Sequence, residues 1–212
     1  MNRPTLRLFL IRHGEVPSNR ELRYVGSRDE PLAEAGIRQA EGLAAALAPT
    51  PVSAVYTSPL RRAEETGRRI AAARDVPLRL EPRLREQSFG AWEGLTRAEV
   101  LERDRDLLLR WEADLGSAPP GGESLESVRE RILSLVEDLV RVHPREWVVL
   151  VSHVGPIKAL LCDALGAPLS TARRMFLDPG TLSVVDWGER PLVRLFNAHG
   201  HLGWEAARWM KE

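Results

Sequence analysis

The sequence predicts an α/β protein of three layers: a mostly parallel sheet with one antiparallel strand, helices on both faces, and a small helical lid. Three observations carry this. Short, continuous apolar runs recur along the chain, as expected for strands covered on both faces. Helical patterns alternate with them, which calls for crossover connections and therefore parallel strands. The last two runs are instead joined by "GERP" (188–191), a hairpin signal.

The elements follow in order. Strands are expected at 6–12, 53–57, 78–81, 147–152, 181–187 and 192–198. The stretch 32–48 carries Leu32, Ile37, Ala40, Leu43, Ala44 and Leu47 on one helical face. "SPLRRAEETGRRIAAA" (58–73) predicts a helix with Ser58 as N-cap and Pro59 at its first position. "SLESVRERILSLVEDLVRVH" (124–143) spaces Leu125, Val128, Ile132, Leu135, Val136 and Leu139 helically and ends before Pro144. "GPIKALLCDALG" (155–166) has Pro156 near its start and Gly166 as its stop. The segment 87–122 breaks the alternation, with Trp92, Trp111, "APPGG" and one helical run, "LTRAEVLERDRDLLLRW". It reads as a lid inserted into a single domain spanning 1–212.

Composition narrows the function classes. Lys+Arg and Asp+Glu are 30 each, so the net charge is zero and binding of nucleic acid through bulk charge is not expected. Lys158 and Lys211 are the only lysines. One cysteine, Cys162, rules out a disulfide framework. The first apolar run is too short for a signal peptide or a membrane span, and a cytoplasmic location fits.

Ligands of open parallel sheets bind beyond the carboxyl ends of the strands. Three strands here end in unusual residues: Arg12-His13-Gly14, Thr57 to Arg62, and Ser152-His153-Val154-Gly155-Pro156. If these strands are neighbours, two histidines and at least two arginines meet at one edge, beside two helix N-termini. Such a site suits phosphate. His13 is then a candidate nucleophile, to be converted to phosphohistidine. Glu86, just after the third strand, is a candidate general acid for a leaving alkoxide and base for the attacking water, because a carboxyl group beside bound phosphate is pushed toward its protonated form. No metal and no cofactor are called for. His199 and His201 form an H-x-H without a third ligand or an acidic cluster.

The stretches "LIRHGEVPSN", "GSRDEPLAEAGIRQA", "YTSPLRRAEET", "LREQSFGAWEGLT", "PGGES" and "VSHVGPIKALL" together resemble the histidine phosphatase superfamily, the phosphoglycerate-mutase-like proteins, in order from residue 7 to about 165. The resemblance implies a metal-independent phosphomonoesterase acting on a small phosphorylated metabolite, with a homodimer left open. It implies Arg12 and Arg62 as pocket arginines, His13 as nucleophile, Glu86 as proton donor and His153 as second pocket histidine. It selects Arg62 over its neighbour Arg61. Asn19, Gly26, Ser27 and Val154 become substrate contacts, although many relatives carry glycine where Val154 stands. The phosphatases of α-ribazole 5′-phosphate look similar, and for that substrate Trp111 is the candidate aromatic partner. Trp92 and Trp111 as simple packing residues is the competing reading. Two alternatives remain: a cofactor-dependent phosphoglycerate mutase, disfavoured by the short 87–122 insertion, and a catalytically silent phosphate-binding regulatory protein.

Overall fold

A computed structural model of the chain describes residues 6–203. Six strands form one sheet: β1 (Leu6–Arg12), β2 (Val52–Thr57), β3 (Leu78–Leu80), β4 (Trp147–Ser152), β5 (Leu182–Trp187) and β6 (Leu192–Ala198), in the order β3-β2-β4-β1-β5-β6. The pairs β3–β2, β2–β4 and β4–β1 are parallel. β5 runs against both β1 and β6 and is the antiparallel strand.

The two-residue period of the central strands divides the core. Leu6, Leu8 and Leu10 of β1, with Val148 and Leu150 of β4, face α6 (Leu125–Val142) and α7 (Val154–Ala164), where Ile132, Leu135, Ile157 and Leu160 cover them. Phe9, Ile11, Val149 and Val151 face the other way. There α2 (Glu34–Leu47) and α3 (Arg61–Arg74) contribute Leu43, Leu47 and Ile70. A four-residue α1 (Pro17–Arg20) follows β1.

Two helices differ from expectation. The α3 helix begins at Arg61 with Leu60 as N-cap, rather than at Pro59. The Ser58 hydroxyl accepts from the Leu60 N–H and closes a turn ahead of the helix instead of capping it. The single helix expected after Thr96 is two, α4 (Arg97–Arg103) and α5 (Arg105–Ala113), broken at Asp104, whose φ of −133° is not helical. Asp104 leaves the helical register because its carboxylate accepts from the Trp92 indole N–H at 2.8 Å and from Arg103. Trp92, Val100 and Leu108 bury together as a separate small core of the 87–122 segment, with Tyr24, Phe89 and Trp111 packed on it. Among the described residues no helix is long and apolar enough to cross a membrane.

Candidate active site

The carboxyl ends of β1, β2 and β4 are stitched together by backbone hydrogen bonds. His13 N–H donates to Ser152 O at 3.1 Å and Ser58 N–H to Val151 O at 3.0 Å. This puts the three predicted strand ends side by side, and His13 and His153 meet there with ring centroids 4.9 Å apart.

His13 is 3% exposed. Its Nδ1 lies 2.7 Å from the Gly14 carbonyl oxygen, which can only accept, so Nδ1 carries the proton. In the neutral ring the lone pair is then on Nε2. That atom receives the Arg62 Nε–H at 3.2 Å. Burial, then the charges of Arg62 and Arg12, hold the pKa of His13 well below the ordinary histidine value of 6.5. The imidazole therefore stays neutral with its lone pair facing a guanidinium.

Arg62 is buried on α3, and its other two nitrogens donate to the carbonyls of Arg28 (2.6 Å) and Gly26 (2.7 Å). Burial lowers its pKa, while the negative charges of Glu86 and Glu30 oppose that. Arg61 is exposed and pairs with Glu65 at 2.7 Å. Arg12 is buried and donates to Leu177 O at 2.5 Å. His153 is fully buried as the N-cap of α7, and neither ring nitrogen has a hydrogen-bond partner among the described residues. Burial, then Arg62, His13 and Arg12, push its pKa well below 6.5. A buried imidazole with two unmet nitrogens is expensive unless a ligand meets it.

Glu86 follows the single turn Pro82–Leu84 after β3. Its carboxylate accepts three backbone N–H groups: Gln87 at 2.9 Å and Gly155 at 2.9 Å on Oε1, and Val154 at 3.1 Å on Oε2. Two of those donors open α7, so the helix N-terminus holds the carboxylate. A Cβ on Gly155 would come within 2.7 Å of Oε1, which explains glycine there. Behind Glu86, Ser152 Oγ donates to Leu84 O, and Arg131 donates to Glu86 O and pairs with Glu123 at 2.8 Å.

Next to this floor lies a cavity of about 320 Å³. Glu86, Val154 and Gly155 form its inner side, Tyr24, Phe89 and Trp111 an aromatic wall, and Lys158 and Arg173 are its cations.

The other predicted positions sit as follows. Asn19 is half-buried, with Oδ1 accepting from the Val16 N–H at 3.1 Å, so its carbonyl end fixes the loop after His13. Gly26 acts through its carbonyl on Arg62. Ser27 donates its N–H to Glu93 at 2.8 Å, and its side chain is exposed. His199 lies 3.0 Å from Asp178 and His201 2.8 Å from Gly180 O, so the two rings are drawn to different partners.

The family model of the histidine phosphatase superfamily (branch 1) matches residues 8–198. The chain belongs to that superfamily. The bifunctional protein Rv2228c of Mycobacterium tuberculosis is 39% identical over 199 residues, which cover 92% of this chain; the chain spans about half of that relative (55%). Phosphoserine phosphatase 1 of Hydrogenobacter thermophilus is 36% identical, covering 93% of this chain and 95% of that protein. The α-ribazole phosphatase structure from Shigella flexneri superposes with a TM-score of 0.82 at 29% identity, covering 91% of this chain and 96% of that one.

Within the histidine phosphatase frame, several residues of the site escaped sequence reasoning. Glu93 gathers the N–H groups of Ser27 and Phe89 and so ties the Gly26 loop to the turn after Glu86. "PGGES", part of the resemblance but given no role by it, is a brace: Ala91 N–H donates to Pro120 O and Gln87 Nε2 to Glu123 O. Gly90, at φ +51°, lets that turn approach, since a Cβ there would fall 2.3 Å from Pro120 O. The signal available for Lys158 was its rarity in a chain whose cations are otherwise nearly all arginine.

Proposed function

We propose that the protein is a cytoplasmic, metal-independent phosphomonoesterase that works through phosphohistidine on His13. The observation that carries this is the orientation of His13: Nδ1–H is committed to Gly14 O, and Nε2 faces Arg62 Nε at 3.2 Å. A neutral imidazole with an aimed lone pair is a nucleophile. The Arg62 Nε–H that Nε2 accepts turns to a phosphoryl oxygen, the freed Nε2 lone pair attacks phosphorus, and the P–O ester bond breaks. The leaving oxygen takes a proton from Glu86 in its acid form; Oε2, with a single N–H donor, has room for that proton. Water then attacks the phosphorus of phosphohistidine and gives a proton to the Glu86 carboxylate. The P–N bond breaks, and inorganic phosphate leaves. Arg12, Arg62 and His153 stabilise the charge on the phosphoryl oxygens.

The organic part of the substrate occupies the neighbouring cavity, against Val154 and the aromatic wall. The names of relatives support small phosphorylated metabolites, with phosphoserine and α-ribazole phosphate among them. A flat base such as that of α-ribazole suits Tyr24, Phe89 and Trp111.

Rapid quench with a ³²P-labelled aryl phosphate tests the reading. The expected result is an acid-labile, base-stable label on His13, absent from His13→Ala, whose turnover is lost. Normal turnover by His13→Ala, or no label at steady state in the unmodified enzyme together with no turnover, overturns it.

A further inference from the structure

The cavity holds a charge that phosphoryl transfer does not use. Lys158 lies on α7 one turn after Val154 and Gly155, whose N–H groups hold Glu86. Residues three and four apart share a helix face, and long side chains lean back toward the helix N-terminus. The ammonium is thus directed over the turn that carries Glu86, and the side chain lines the cavity with it. Lys158 is half-buried, and among the described residues it makes no hydrogen bond and no ion pair. Burial lowers its pKa; attraction to Glu86 opposes this, and Arg12 adds to it. Glu86 attracts the lysine without binding it: three backbone N–H groups hold the carboxylate, and no hydrogen bond or ion pair joins the two side chains. The cavity's other cation, Arg173, is exposed and tied to the Trp111 carbonyl at 2.5 Å. A cation that lines the cavity without a partner is a ready donor for an entering anion.

We propose that Lys158 is a specificity-determining residue that selects phosphomonoesters bearing a carboxylate close to the ester oxygen, that is, phosphorylated hydroxy acids. This rests on the phosphatase reading. With phosphate on the floor and the ester oxygen at Glu86, a short carbon skeleton reaches Lys158 on the same helix face. The carboxylate supplies the acceptor that the lysine lacks. The lysine's compact point charge suits a small carboxylate that need not lie in one plane with it.

The test uses two esters of nearly the same shape, 3-phosphoglycerate and glycerol 3-phosphate, which differ by a carboxylate against a hydroxymethyl group. Phosphate release is measured with the unmodified protein, Lys158→Met, Lys158→Gln and Lys158→Arg. The unmodified protein should prefer the acid at least about tenfold in kcat/KM, the worth of one charge-assisted hydrogen bond. Lys158→Met and Lys158→Gln should lower the acid-to-neutral ratio by about 10- to 100-fold, mainly through KM, and Lys158→Arg should restore much of it. Two neutral variants guard against one failing to fold. Calorimetric binding of both esters to His13→Ala, with and without Lys158→Met, reads the same preference without turnover. If preference persists in binding while the unmodified protein hydrolyses neither these esters nor the aryl phosphate, the phosphatase reading fails and the anion subsite stands. A ratio within twofold of the unmodified value in both neutral variants, or equal binding of the two esters, overturns the proposal.

Discussion

The floor of the site and the wall beside it are built by different means. On the floor, His13, Arg62 and His153 are at most 3% exposed, and backbone atoms hold them: Gly14 O, Gly26 O, Arg28 O and the start of α7. The floor sits on the ends of three strands whose register is set by the sheet. The wall is assembled from side chains of three separate segments, Tyr24, Phe89 and Trp111. They hold one another by ring contacts of 4.9–6.0 Å and stay half-exposed to the cavity. A backbone-held floor can keep reacting atoms in place whatever enters the cavity. A wall of packed rings can change shape or composition without disturbing that floor. Substitutions on the floor should therefore act on kcat, and those on the wall on KM.

The largest effect that sharpens this contrast is at Glu86, where floor and wall join. Glu86→Gln keeps the shape but cannot donate a proton, and it should lower kcat for alkyl phosphates by about 10²- to 10⁴-fold. The loss should be several-fold smaller for p-nitrophenyl phosphate, whose leaving group departs as an anion. Equal losses for both esters would mean that Glu86 braces α7 and moves no proton, and the junction would then belong to the wall.

A second contrast is in acid. Both floor histidines are held neutral by burial and neighbouring arginines, below the ordinary value of 6.5. The unfolded chain takes up protons there that the folded floor refuses. Stability is thus complete above that pH and is lost as pH falls below it, by about 1.4 kcal/mol per pH unit for each histidine kept neutral. The wall adds nothing in this range, since burial raises the pKa of its Tyr24 above the ordinary tyrosine value. Denaturation by urea from pH 7 to pH 5 should show the loss, and His13→Asn should make the histidine-dependent slope shallower, leaving the parts due to His153 and to His201, which burial also lowers. An unchanged slope in that variant would break the picture of a proton-excluding floor.

The same division governs what the sequence could tell. Strand ends read well because the apolar run stops where the chemistry starts: Ile11 to Arg12-His13, and Val151 to Ser152-His153. Arg62 and Arg61 look alike in sequence, and the family pattern alone separated them; α3 buries the first and exposes the second. The break at Asp104 was not legible, because the indole that captures its carboxylate comes from Trp92, outside the helical run. Nor was the start of α3, where Ser58 chose a local turn over a cap. The brace of Glu93 on Ser27 and of Arg131 on Glu86 joins segments far apart in the chain. No local pattern announces such pairs.

The smallest predicted effect is at Trp111, and it decides whether the wall recognises substrate or only packs the 87–122 segment. Its ring meets Tyr24, Phe89 and Trp92 at 80–90°, with centroids 5.7–6.0 Å away, and also lines the cavity. Stacking of a flat base on an aromatic side chain is worth about 1–3 kcal/mol, so Trp111→Ala should raise KM for α-ribazole 5′-phosphate by roughly 5- to 150-fold. The change in kcat should stay within a few-fold, because no floor residue is touched. Glycerol 3-phosphate has no ring to stack, and its KM should move far less. The packing role predicts otherwise. Removing the ring then loosens Tyr24 and Phe89 together, lowers the melting temperature, and raises KM for both esters alike. The ratio of the two KM changes therefore separates the roles: a ratio near one assigns Trp111 to the small core of the 87–122 segment with Trp92 and Leu108, and a ratio above about five assigns its free face to the substrate.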